Sequence, residues 1–310
     1  MALNYAEVWS PELLEIMEQD SLTSPFVTTA VKWLSAKTFH FTQMSTSGYK
    51  SHSRLGGWNK GTVEQTDVPF TLTHDRDIQF MIDKIDVDET NETASIKNIS
   101  EVFHKTQQIP EMDAYFYSKV ATEAQKLEGY HSSTALSSYT KENVYGKLKA
   151  MLSAGKLRRY VAKGALIAYV NSTIMDLLEQ STDFTRKIEM TQIAEGGIGI
   201  ETRITDIDGV TLIEVIDDER FYDKFDFTDG FVPVASTSHK INVLIASPLT
   251  VKTVPKIASI YYFNPGQHTE GDGYLYQDRS LSDTFVFPNG KDNKIDSIYV
   301  DVDTETYSAA

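Results

Sequence analysis

The stretch DRDIQFMIDKIDVDET, residues 75–90, gathers Asp75, Asp77, Asp83, Asp86, Asp88 and Glu89, enough carboxylates to hold a divalent cation or to work as an acid/base pair. A calcium hand needs oxygen ligands at loop positions 1, 3 and 5, glycine at 6 and a bidentate glutamate at 12. Numbered from Asp86, the chain offers Asp88 at the third position but Thr90, Asn91 and Lys97 at the fifth, sixth and twelfth. The spacing fails where it is most specific. A catalytic carboxylate pair needs only convergence in space. Asp75, Asp77 and Asp83, however, share one strand parity, opposite Ile78, Phe80 and Ile82. Asp86 to Asp88 fall where a strand gives way to a turn, a place that suits aspartates because they bond nearby backbone amides. The cluster reads as a wet strand face followed by a turn.

Other chemistry is equally unframed. GGIG at 196–199 lacks dinucleotide-binding spacing, and no histidine pair flanks a glutamate at helical spacing. His74 and His104 read as strand and helix-surface residues. The absence of cysteine excludes disulfides, thiolate metal sites and a cysteine nucleophile. No catalytic, cofactor-binding or metal-ligating residue is assigned, and no cofactor is expected.

The elements that would position such residues follow from periodicity. The 310 residues, 41% hydrophobic, suffice for two lobes or a core with excursions. No apolar run approaches the ~20 residues that a membrane helix needs, so no membrane is expected as a partner. Ser10 and Pro11 can open a short amphipathic helix over 10–19, and the segment to Ser35 reads as an arm that packs on something else. From Lys37 the period is two: Phe39 and Phe41, then Phe70, Leu72, Ile78, Phe80 and Ile82, mark half-buried strands. Between them STSGYKSHSRLGGWNKGTVEQT is too long for a tight hairpin turn and reads as a disordered loop or a functional excursion. Pro110 opens a long helix that Gly129 ends, with Met112, Phe116, Val120, Ala124 and Leu127 forming one apolar stripe. Beyond it, Thr140 and Ser172 can cap helices on either side of the buried strand ALIAYV. DIDG joins IGIETRI to VTLIEV as a hairpin, and INVLIA is a further buried strand.

Charge is uneven as well as negative. The net charge of −15 argues against a protein that grips nucleic acid through phosphate contacts. Lys141 to Lys163 holds seven Lys or Arg against Glu142, whereas Asp206 to Asp229 holds nine acids against Arg220 and Lys224. Such runs are either two solvated faces or a complementary pair that meets across a subunit contact.

The order of phrases carries more than any motif. AKTFHF, the loop GYKSHSRLGGWNKG, LTHDRDIQFMIDKIDVDET and PEMDAYFYSKVATEA resemble the N-terminal half of tailed-bacteriophage major capsid proteins. DGVTLIEVIDDERF, HKINVLIASPLTVKTVPK and DRSLSDTFVF resemble the second half. The resemblance implies an α+β chain with the Hong Kong 97-type coat fold, also called the Johnson fold. It would have an N-terminal arm (1–36), an extended loop (37–85), a peripheral domain (86–139) with a spine helix at 110–128, an axial domain (140–235), and a return to the peripheral domain (236–310), with 240–303 finishing that domain's sheet.

The same resemblance implies a non-enzymatic role: a shell around a double-stranded DNA phage genome, built from hexamers and pentamers. The expected setting is the virion capsid, and the host cytoplasm during assembly. Expected partners are other copies of the chain, a portal, packaged DNA in weak contact and, since no fused scaffolding segment precedes the arm, a separate scaffolding protein. Tyr49, Arg54, Leu55, Trp58 and Lys60 are then candidate intersubunit contacts on the extended loop, because aromatic and arginine residues most often anchor interfaces. The lysine-to-asparagine cross-link known in part of the family is not expected. Lys60 with Asn289 or Asn293 is conceivable, but no phrase matches the reacting set. Alternatives are an encapsulin-like nanocompartment shell and an acid-rich hydrolase that uses Asp75 to Glu89.

Overall fold

The computed structural model describes residues 20–29, 33, 35, 37–52, 56–89, 96–181, 188–191, 202–289 and 294–308. The helix expected at 10–19, Arg54, Leu55, the GGIG stretch and Asn293 lie outside the described residues, as do the side chains of Phe41, Asp88 and Glu89.

Strands β1 (Thr38–Thr46) and β2 (Val63–Thr71) form a two-stranded antiparallel ribbon, with Thr38 opposite Thr71 and Thr46 opposite Val63. At about 3.4 Å per residue the ribbon reaches ~30 Å. It ends earlier than the expected extended loop of 37–85. Leu72 turns inward beside Phe39, and the Thr73 backbone N–H and hydroxyl both donate to Asp283 at 2.9 and 2.8 Å. β3 (His74–Asp83) therefore belongs to another sheet, and its burial alternates residue by residue as its sequence parity requires.

The aspartates after β3 enter a short helix, α1 (Lys84–Glu89), rather than a turn. Asp83 accepts from the Ile85 N–H at 2.8 Å, and Asp86 lies in the first turn. Helix α2 (Ile96–Phe103) then runs through a π-turn, His104–Gln108, into α3 (Ile109–Gln125). Pro110 stands in the first turn of α3, as expected, but α2 leads into it without a break through the π-turn, and α3 ends before the expected 128. The Ile109 N–H bonds the His104 carbonyl five residues back, and this wide turn gives the proline ring the room that it lacks in a regular helix.

The remaining elements complete one large sheet, a three-stranded sheet and a short β9–β10 pair. They are β4 (His131–Ser133), α4 (Val144–Leu152), α5 (Arg158–Val161), β5 (Ile167–Asn171), α6 (Ser172–Glu179), β6 (Ile188–Thr191), β7 (Thr202–Ile207), β8 (Val210–Val215), β9 (Phe225–Asp226), β10 (Val232–Pro233), β11 (His239–Ala246), β12 (Val251–Phe263), β13 (Gly273–Val286) and β14 (Ile298–Thr306). Asn171, not Ser172, caps α6, accepting from the Thr173 N–H at 2.9 Å. Asp208 and Gly209, at φ +52° and +80°, make the two-residue turn expected at DIDG, where twisted strands favour left-handed residues.

Seven strands line up as β4-β14-β11-β5-β8-β7-β6, and three as β12-β13-β3. Alternate residues of the larger sheet enter two clusters. Tyr169, Ile213, Leu244 and Val300 face α3, whereas Ala168, Leu212, Ile245 and Tyr299 face α4, α5 and α6. The sheet is thus covered on both faces. A boundary at 235 does not separate two sheets: β11 pairs antiparallel with β14, across irregularities at its start, and with β5, so of 240–303 only β12 and β13 join β3.

Candidate assembly surfaces

The extended ribbon carries its own scaffold to the tip. Ser47 and Thr62 close it, with the Ser47 N–H donating to the Thr62 carbonyl and the Thr62 N–H to Ser47 Oγ, both at 2.9 Å. Lys50 Nζ reaches the Lys60 carbonyl at 3.1 Å, and Asn59 Nδ2 reaches the Ser51 carbonyl at 2.9 Å. The polar groups hold the shape, and Tyr49 and Trp58 stand in solvent, Trp58 95% exposed with the His52 ring 6.4 Å away. Lys60 is also exposed. An indole left in water has unused apolar area, the kind that anchors interfaces.

The expected spine-helix stripe divides. Phe116, Val120 and Ala124 are buried in the core beside α3's other inward residues Ala114, Tyr117 and Ala121, and Leu127 packs on its edge. Met112 instead lines a cavity of about 640 Å³ between β3, β13 and the π-turn. In that cavity Glu111 is held by Arg76 Nε at 2.6 Å and lies 3.5 Å from His74 Nε2, and His74 stacks on Tyr115 at 3.9 Å. The Arg76–Glu111 pair ties the strand to the helix.

The arm was expected to pack elsewhere, yet part of it enters this chain's own core. Phe26 stacks on Phe116 at 4.7 Å, and Tyr169 donates to the Leu22 carbonyl at 2.8 Å. The Asp113 carboxylate on α3 accepts from the Leu22 N–H at 3.1 Å, Thr23 Oγ1 at 2.7 Å and Arg220 at 3.2 Å, with Asp113 and Arg220 both fully buried. Val27 then adds to the edge of β12 through a bridge to Thr253, and Lys256 sits 3.8 Å from the Trp33 ring centre.

Asp113 belongs to a set of buried carboxylates that the motif reading did not single out. Asp301 accepts from Thr134 Oγ1, Tyr139 Oη and Asn242 Nδ2 at 2.8, 2.6 and 2.8 Å. Asp283 accepts from Thr73 and Tyr115, and Asp296 from Tyr160 and Asn289. Burial, reinforced by the facing carboxylate, pushes the Tyr115, Tyr139 and Tyr160 hydroxyls well above the usual tyrosine range. Asp278 does the same for Tyr276, which burial foremost pushes up to about 12. The signal was an aspartate inside an apolar run, as in IYVDVD at 298–303. Such a residue must find several donors, because burying an unpaired carboxylate is costly.

The acidic stretch of the opening does not converge. Asp75 is gripped by Arg279 at 3.0 Å and Lys37 at 2.9 Å, and hydrogen bonds from Arg279, then Lys37, hold its carboxyl at about 2. Asp77 is exposed and Asp83 caps α1. His104 is exposed in the π-turn. Among the described residues no group of three or more His, Asp or Glu is placed to hold a metal, and no helix is long and apolar enough to cross a membrane. Asn289 is bonded to Asp296 at 3.1 Å, while Lys60 sits on the ribbon tip.

Neither a protein-family model nor a curated protein sequence matches the chain. Solved structures do. The bacteriophage PhiM1 mature capsid matches at 12% identity with a TM-score of 0.64, over 98% of this chain and 93% of that one. The capsid of the cyanophage P-SCSP1u matches at 11% identity with a TM-score of 0.60, over 98% and 94%. A chain from Mycobacterium phage Che8 matches at 12% and 0.56, over 97% and 98%. Fold is retained end to end where sequence is not, and the chain carries the α+β coat-protein fold of these phage capsids.

Proposed function

We propose that this chain is a major capsid protein that self-assembles into the icosahedral shell of a double-stranded DNA bacteriophage, and that it is not an enzyme. The carrying observation is the likeness to two capsid structures along nearly the whole of both chains. The tip of the ribbon supports it: a braced, solvent-exposed Tyr49 and Trp58 gain little from this chain and would be covered by a neighbour. Arg54 and Leu55 would join that contact. On this reading the three-stranded sheet with α3 serves as the peripheral domain and the outer part of the larger sheet as the axial domain. Hexamers and pentamers form on a separate scaffolding protein, a portal admits the genome, and the acidic surface keeps DNA contact weak. The protein works in the virion after assembly in the host cytoplasm.

Electron microscopy and light scattering of the chain, expressed alone and with a candidate scaffolding protein, test this. Closed shells of megadalton mass are expected in at least one arm. Monomers or small oligomers in both overturn the proposal.

A further inference from the structure

The basic stretch and the Asp217–Asp229 end of the acidic stretch lie on opposite sides of the large sheet, while Asp208 sits with the basic face. Helices α4 and α5 bury Val144, Leu148, Met151, Leu152, Leu157 and Tyr160 against it, so their polar sides face outward. That outward layer exposes Lys141, Lys156, Arg158, Arg159 and Lys163. Some of its charge is used at home: Arg159 lies 3.3 Å from Asp296 and Lys149 3.3 Å from Asp208. Among the described residues Arg158 bonds the neutral Ser153 Oγ, at 2.7 Å, and no carboxylate. Seven of the 29 Lys and Arg fall in this stretch with one of the 44 acids, so the rest of the molecule is more acidic than its net charge of −15 suggests.

The acidic stretch rides on α3, beyond the other face of the sheet. Phe221 packs on Tyr117 at 4.9 Å and Asp223 accepts from Gln125 at 2.8 Å, which fixes the segment there. Asp217 and Asp218 are paired with Arg220 and Lys240, while Glu219, Asp226 and Asp229 are exposed. Beside them Asp217, Asp218 and Glu219 line a hollow of about 280 Å³ with Ile216, Pro110 and Phe231.

We propose that copies of this chain associate head to tail, the α4–α5 face of one copy seated against the Glu219–Asp229 face of the next. The inference rests on the shell reading above. Unlike faces on opposite sides of one unit make a heterologous contact, and such a contact closes into a ring when the rotation allows. Copies of an acidic chain repel one another generally, and this pairing is where attraction replaces repulsion. Charge attraction across a solvated gap also tolerates small changes of angle better than interlocked packing does, which suits one chain serving rings of five and of six.

The test is charge reversal read by assembly rate in light scattering, with circular dichroism and melting to establish folding. Reversing the basic face (Arg158→Glu with Lys163→Glu) or the acidic face (Glu219→Lys with Asp229→Lys) should slow assembly by about tenfold or more, within the range that electrostatic steering supplies. Carrying both reversals in one chain should restore it, and added salt should slow the wild type. Folded single-face variants that assemble at the wild-type rate overturn the contact, as does a double reversal that rescues nothing. Basic-face variants that assemble normally but lose duplex DNA overturn it in favour of a nucleic-acid surface. A wild-type chain that never forms shells refutes the shell reading itself; shells from every variant alike refute only the head-to-tail contact.

Discussion

The Arg220 guanidinium meets the Asp113 carboxylate at 3.2 Å with 1% and 0% of the two side chains exposed, and the same carboxylate holds the arm. Removing one partner of a buried pair leaves an uncompensated charge, typically at a cost of about 3–5 kcal/mol. Arg220→Met should therefore destabilise the monomer by about that much, while Arg220→Met combined with Asp113→Asn should cost less than the two separate losses added. Urea denaturation of the three variants measures this, and strict additivity would show that the pair is not coupled.

Phe116 supports Phe26 of the arm and Tyr169 of the sheet at once. Phe116→Ala should cost about 3–5 kcal/mol against a usual native margin of about 5–15, giving insoluble or unassembled protein. Normal soluble yield and an unchanged melting temperature would show that the arm and helix repack around the loss.

Asp75 should shape the acid limb of stability. Its folded carboxyl titrates at about 2, below the ~3.9 of an unfolded chain, so its contribution is complete above ~4 and is lost as pH falls toward 2. The site is solvent-accessible and screened, which keeps the effect modest. Asp75→Asn should flatten the stability curve across that window and leave its shape near neutrality unchanged. A steeper acid limb in the variant would contradict the assignment.

The buried tyrosines set the alkaline limit. Tyr117 and Tyr169, raised by burial and then by Asp113, join Tyr115, Tyr139 and Tyr160 in staying neutral where unfolded tyrosine ionises, at about 10. Their folded values are raised, so stability is full below that pH and is lost as pH climbs beyond it. Phenolate absorbance should rise in two stages, exposed groups first and the buried set together with unfolding. A single early stage would show that these hydroxyls are accessible.

Replacing residues 50–61 by a short Gly-Ser turn should leave the monomer's secondary structure and melting near normal, because no described residue of the ribbon tip enters a buried cluster. Shell assembly should fail. Closed particles of ordinary size and stability would show that the tip is dispensable.

Strand parity was legible because each sheet face is chemically uniform: Ile78, Phe80 and Ile82 point one way and Asp75, Asp77 and Asp83 the other. The apolar stripe of α3 was legible for the same reason. The continuity of α3 with α2 was not, since Pro110 normally marks a first turn after a break, and here the π-turn before it makes room for the ring. Two sheets could not be apportioned from order alone: β11 and β12 are neighbours in the chain yet enter different sheets. The arm's place depended on Asp113, Tyr169 and Arg220, residues distant in sequence that no local pattern connects.

The carboxylate hubs also have a consequence in time. Thr73 reaches Asp283 across 210 residues, Tyr169 reaches Leu22 across 147 and Tyr139 reaches Asp301 across 162. Contacts this distant demand that large loops be closed before they return any stabilisation, which slows folding. The α4–α6 layer and the β7–β8 hairpin can form early from neighbouring residues, but the arm has no dock until α3 and the Arg220 turn have come together. The arm's contacts thus depend on parts far apart in the chain, and a copy whose arm is unseated presents Phe26 and its socket to whatever lies beside it.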